Sequence, residues 1–133
     1  MVFPKATVLE GGDITARIKE LSAGIGECDP GNIFEIVLGG DSLMTAMHAQ
    51  NCLDDLKNVL VKGPRTGLHT LFTVTNLSNI STGFILMFKH RLAFACPEYD
   101  AQKVLRDMDV ELPENAFRVS NDFEEFTAMP YMM

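Results

Sequence analysis

Between two turn-forming stretches the chain carries Ile33-Phe-Glu-Ile-Val-Leu38, a short and nearly continuous apolar run that closes on Gly39-Gly40. A run of this kind, bounded by glycines, is expected for a strand buried on both faces of a parallel sheet. That one segment constrains the rest, because a parallel neighbour is reached only through a crossover, usually helical. The following residues supply it. Beyond Gly39-Gly40-Asp41-Ser42, the apolar positions Leu43, Met44, Met47, Leu53, Leu56, Val59 and Leu60 mark one long helix or two consecutive helices ending near Lys62-Gly63-Pro64. The next strand is Leu68 to Thr75, rich in β-branched and aromatic residues.

The flanking segments continue the alternation. Lys5 to Leu9 is β-prone, and Glu10-Gly-Gly-Asp13 is a turn whose aspartate can cap a helix. Ile14, Ile18, Leu21 and Ile25 then recur at helical spacing, with Arg17, Lys19 and Glu20 on other faces, until Gly24 to Gly31 stops the helix. Ile80 to Phe88 reads as a short helix, Arg91 to Ala95 as a strand, and Asp100 to Met108 as a short helix with Val104 and Leu105 inward. A β-prone Ala116 to Ser120 and the tail Phe126 to Met133 close the chain. The expected fold is α/β, a mostly parallel sheet with helices on both faces and right-handed crossovers, formed by residues 1–133 as a single domain.

Composition narrows the function classes. Eleven Lys and Arg against eighteen Asp and Glu give a net charge of −7, which opposes a broad electrostatic footprint on nucleic acid. The longest apolar runs, Phe34 to Leu38 and Phe84 to Phe88, fall far short of the ~20 residues of a membrane span, and no signal segment opens the chain. A cytoplasmic protein without direct membrane contact is the expectation. Cys28, Cys52 and Cys96 fit neither a disulfide framework nor a zinc pattern and read as reduced core thiols. The methionines cluster at Met44, Met47, Met87, Met129, Met132 and Met133, as core filling in the helices and as packing against a neighbouring subunit at the terminus.

In parallel sheets the chemistry sits in loops at the carboxyl ends of strands. Three such loops follow: Gly39-Gly40-Asp41-Ser42, Thr75-Asn76-Leu77-Ser78 and Cys96-Pro97-Glu98. Asp41 stands where nucleotide hydrolases present a carboxylate to magnesium or to an attacking water, and it equally suits a helix N-cap. Thr75 and Asn76 can place a polar group beside a phosphate, or serve as turn residues. No G-x-x-x-x-G-K-[ST] loop occurs, and there is no G-x-S-x-G, H-E-x-x-H or G-x-G-x-x-G either. His48, His69 and His90 stand apart without ligand spacing. Lys89, His90 and Arg91 form the one local positive group, an exposed strand end or a phosphate or subunit contact.

The order of these segments resembles the second half of the motor domain in the FtsK/SpoIIIE family of hexameric ATPases, which includes DNA translocases and type VII secretion ATPases. Lys62 to Phe72 is similar to the turn, Gly-aliphatic-His and third strand that follow Walker B in the family, Phe88 to Phe94 to its Arg-Ile-Ala-Phe strand, and Tyr99 to Leu105 to its Asp-Ser helix. Phe126 to Tyr131 resembles the phenylalanine and Pro-Tyr pair that closes many members, so the resemblance spans about residues 33–131. It departs at the acids: where the family ends its Walker B strand in Asp followed by Asp or Glu, Leu38-Gly39 or Gly39-Gly40 stands here, with Asp41 the nearest acid. Where the family carries Thr-Gln-Arg as a γ-phosphate sensor, this chain has Val74-Thr75-Asn76.

The resemblance implies a P-loop NTPase-like fold and a portion of an ATPase domain, lacking Walker A and with a degenerate Walker B. Its role would be structural or substrate-docking in an assembly that moves DNA or protein, with no catalytic residue of its own. Arg91, Asp100 and Thr75 become positions for subunit or nucleotide contact. ATP and magnesium would bind only if a Walker A were supplied from outside, with Asp41 then holding the metal and Thr75 or Asn76 sensing phosphate; that is the enzyme alternative. A third reading is a stand-alone acidic α/β module that binds a basic protein. Partners under the first reading are neighbouring ATPase domains or a second copy, joined where a missing upstream strand leaves a sheet edge open.

Overall fold

The computed structural model describes residues 7–25, 33–94, 96–106 and 117–121, and the backbone of 125–128. The chain forms two compact units, Met1–Val74 and Thr75–Met133.

In the first unit, helix α1 (Gly12–Gly24) buries Thr15 and Ile18 and half-buries Ile14 and Leu21, the face its spacing predicts. Its N-cap is Gly11, at φ 60°, rather than Asp13. Asp13 lies in the first turn, where its carboxylate faces the positive end of the helix dipole. Thr7 to Glu10 are exposed and form no strand, with Val8 projecting into solvent; Lys5 lies outside the described residues, as do Cys28 and the turn from Gly26 to Gly31.

Strands β1 (Ile33–Val37) and β2 (Leu68–Phe72) pair in parallel, Ile33 opposite Leu68 through Val37 opposite Phe72. Two helices make the crossover, α2 (Gly40–Ala49) and α3 (Leu53–Lys62), followed by a 3-10 turn over Gly63–Thr66. The break between them is chemical. Asn51 adopts φ 53°, a left-handed conformation that asparagine tolerates better than most residues, and the amides of Asn51 and Cys52 close back onto His48 and Met47 carbonyls. Met47, Leu56, Val59 and Leu68 are almost wholly buried, and Cys52 is buried with its thiol on the Met47 carbonyl. Asn58 of α3 donates from Nδ2 to the Ser22 carbonyl at 3.2 Å and to Ser22 Oγ at 3.0 Å, tying α3 to α1.

The parallel pair corrects one expectation. β1 is not covered on both faces: Phe34 and Ile36 are exposed, as are Leu71 of β2 on the same outer side and Leu38 just past the end of β1. The strand after the crossover is also shorter than Leu68 to Thr75, ending at Phe72.

In the second unit, Ser81 caps the short helix α4 (Thr82–Ile85) by accepting the Phe84 amide at 3.2 Å, so the expected Ile80 to Phe88 helix is a single turn. Strand β3 (Arg91–Ala93) pairs antiparallel with β4 (Phe117–Ser120), which pairs antiparallel with β5 (Glu125–Ala128). Two of the three strand pairings among the described residues are therefore antiparallel, against the mostly parallel sheet expected. Helix α5 (Glu98–Leu105) covers β3, where Ala93, Ala101 and Leu105 form a small core with Val104 against it. Ala95, Met108, Ala116 and the terminal Met129, Met132 and Met133 lie outside the described residues. No helix among the described residues is long and apolar enough to cross a membrane.

Candidate functional site

The carboxyl end of the β1–β2 pair is where a parallel sheet presents its chemistry, and Thr73 organises it here. Its amide donates to the Val37 carbonyl at 2.9 Å, extending the ladder by one bond past β2. Its hydroxyl lies 3.2 Å from the same carbonyl and 3.3 Å from the Gly39 amide, donating to the first and accepting from the second. Its carbonyl accepts the Gly40 amide at 2.7 Å. Both glycine N–H groups, the donors a phosphate-cradling loop would aim at a ligand, are thus turned onto one residue of the neighbouring strand end.

The glycines serve that closure. Gly39 adopts φ 70° and ψ 47°, a left-handed conformation that a Cβ penalises. Gly40 is buried, and a Cβ there would overlap the Phe72 ring. Phe72 therefore occupies the space directly above the turn that opens α2. Neither Thr73 nor Phe72 stood out in the sequence, where they read as ordinary strand residues.

Asp41 follows in the first turn of α2, one residue past the glycines and half-buried. Its carbonyl accepts the Thr45 hydroxyl at 3.1 Å. It stands on the helix and not at the strand terminus, so the strand itself ends on Val37-Leu38 without an acid. Among the described residues no group of three or more His, Cys, Asp or Glu could hold a metal ion.

Beneath the sheet, on the buried side of β1, Glu35 sits opposite Thr70. Burial pushes the Glu35 carboxyl above its ordinary value of 4.5, and the positive charge of Arg17 opposes the shift. The Thr70 hydroxyl is buried with no hydrogen-bond partner. The sequence offered no hint of this environment beyond a charge inside an apolar run.

The remaining expected positions belong to the second unit. Thr75 and Asn76 are exposed, and Asn76 Oδ1 accepts the Ser78 amide at 2.8 Å in a local turn. Lys103 of α5 donates from Nζ to the Leu77 carbonyl at 3.0 Å, tethering that loop. Arg91 differs from expectation. It is 8% exposed, folded inward from the strand, and donates to the Phe88 carbonyl at 2.7 Å and to Ser120 Oγ at 3.4 Å, while Lys89 and His90 stay exposed. Asp100 lies in the first turn of α5. Cys96 is exposed rather than a core thiol, and desolvation, then the Asp100 charge, raises its pKa, which disfavours the thiolate a nucleophile needs. His48, His69 and His90 are all exposed, His69 stacked on Phe34 with ring centroids 5.2 Å apart.

Compared with known proteins, the chain matches no protein-family model, no curated protein and no solved structure.

Proposed function

We propose that this chain is the Walker B-to-C-terminus portion of an FtsK/SpoIIIE-like ATPase domain that has lost nucleotide chemistry and plays a structural or substrate-docking part in a DNA- or protein-translocating assembly. The observation that carries the reading is the junction of β1 and α2. A parallel strand–helix–strand unit is the arrangement that the resemblance calls for, and the pairing of Ile33–Val37 with Leu68–Phe72 across α2 and α3 agrees with it. The carboxyl end of β1 carries no acid, and the two glycine amides that follow it are held by Thr73. The Phe72 ring fills the space over Gly40. A loop of this kind, standing where the resemblance puts Walker B, offers a magnesium ion no strand-end acid and leaves no room over Gly40 for a ligand.

Calorimetric titration of the protein with magnesium ATP tests this reading. No heat of binding at millimolar nucleotide is the expected result. Binding at micromolar affinity would overturn it, since phosphate would then be held by groups other than this loop.

A further inference from the structure

We infer that the outer face of the β1–β2 pair is a self-association surface, taken by the same face of a second copy of this chain. Parallel strands occur almost only in sheets covered on both sides, yet this pair leaves one side open. Phe34 is 74% exposed, Ile36 65%, Leu38 77% and Leu71 55%. Phe34 and Ile36 alternate along one face of β1, Leu71 lies directly beside Ile36 in the register, and Leu38 follows the last residue of the strand. The Phe34 ring is held flat against His69, which presents a broad surface at little cost in side-chain freedom.

Area and charge favour a second copy as the occupant. At roughly 200 Å² for a fully exposed large apolar residue, the four side chains present about 500 Å², the upper end of what a lone monomer carries. Two such faces in contact bury about 1,000 Å², which is the lower bound of a specific interface and predicts a weak dimer with a dissociation constant on the order of 10–100 μM. Residues 34, 36, 38, 69 and 71 include no Asp, Glu, Lys or Arg, so apposing the face on itself brings no like charges together although each chain carries −7. A basic partner, which the net charge would otherwise select, finds no carboxylate on this face to pair with. A two-fold contact is self-complementary by construction and needs only the surface already present.

The inference stands apart from the family resemblance: nucleotide titration bears on that reading, and solution mass on this one. The test is sedimentation velocity over a concentration series reaching about 1 mM, ten times the weakest expected constant. It compares the parent chain with Ile36→Lys, Phe34→Thr and, as a control of similar exposure on α3, Val61→Lys. The parent is expected to pass from monomer to dimer, Ile36→Lys and Phe34→Thr to weaken association at least tenfold with an unchanged thermal midpoint, and Val61→Lys to leave it intact. A parent that stays monomeric throughout overturns the inference. So does association that survives either face substitution in a folded protein, or a fall in midpoint without any association, which would show the chain covering the face itself. Should Ile36→Lys fail to fold, Phe34→Thr decides alone.

Discussion

At the residue scale, the strongest constraint sits where Gly40 meets Phe72. Gly40→Ala places a methyl group into the ring, and overpacking of this kind costs about 1–3 kcal/mol unless a neighbour gives way. Denaturant unfolding should show that loss, and Phe72→Leu in the same chain should recover much of it, a coupling that a double-mutant cycle reads directly. Glu35 makes a second residue-scale prediction. Its raised pKa means the folded state holds the proton to higher pH than the unfolded chain, so this group's contribution is fully present below 4.5 and is lost as pH rises through the folded value. Glu35→Gln should therefore gain on the parent as pH climbs from about 4 to 7, by less than about 1 kcal/mol because the half-exposed carboxyl is screened by water. A gap that shrinks with pH would contradict the assignment. The glycine pair was legible in the sequence as punctuation after a strand, but what it avoids was not: the clash depends on a residue far along the chain, on the next strand.

At the scale of elements, local chemistry was read well where it decides the outcome alone. The apolar spacing of Ile14, Ile18 and Leu21 and the glycines after them locate α1. The run from Ile33 is a strand, and Asn51 shows which of two open crossover designs forms. Pairing partners were less legible. Nothing local to Arg91–Ala93 distinguishes a parallel neighbour from the antiparallel β4, because orientation is set by what the rest of the chain brings alongside. Arg91 shows the same limit, since a cation beside Lys89 and His90 reads as surface until Ser120 is placed opposite it. Between helices, the Asn58 amide is the polar tie of α3 to α1. Asn58→Ala should cost about 1–2 kcal/mol in equilibrium unfolding, the worth of two ordinary hydrogen bonds, with the secondary structure retained by circular dichroism.

At the scale of the molecule, charge and apolar surface pull in opposite directions. A net charge of −7 makes two copies repel at long range, while the β1–β2 face draws them together at contact. Added salt screens the first effect and leaves the second, so self-association should tighten as ionic strength rises from about 20 to 200 mM, where an interface of ion pairs would loosen. Sedimentation at two salt concentrations separates the cases. The exposed face was itself hidden from sequence inspection: a nearly continuous apolar run says that a strand wants cover on both sides, and is silent on whether its own chain provides it.

Thr73 has a mechanical side as well. It is the penultimate residue of the first unit, and it is laced to Val37, Gly39 and Gly40 by bonds from its amide, hydroxyl and carbonyl. Tension drawn along the backbone from Thr75 onward reaches these bonds before it reaches β2, and they have to break before the strand can peel. The turn that joins β1 to α2 is thereby also a clasp, holding the end of the sheet against a pull.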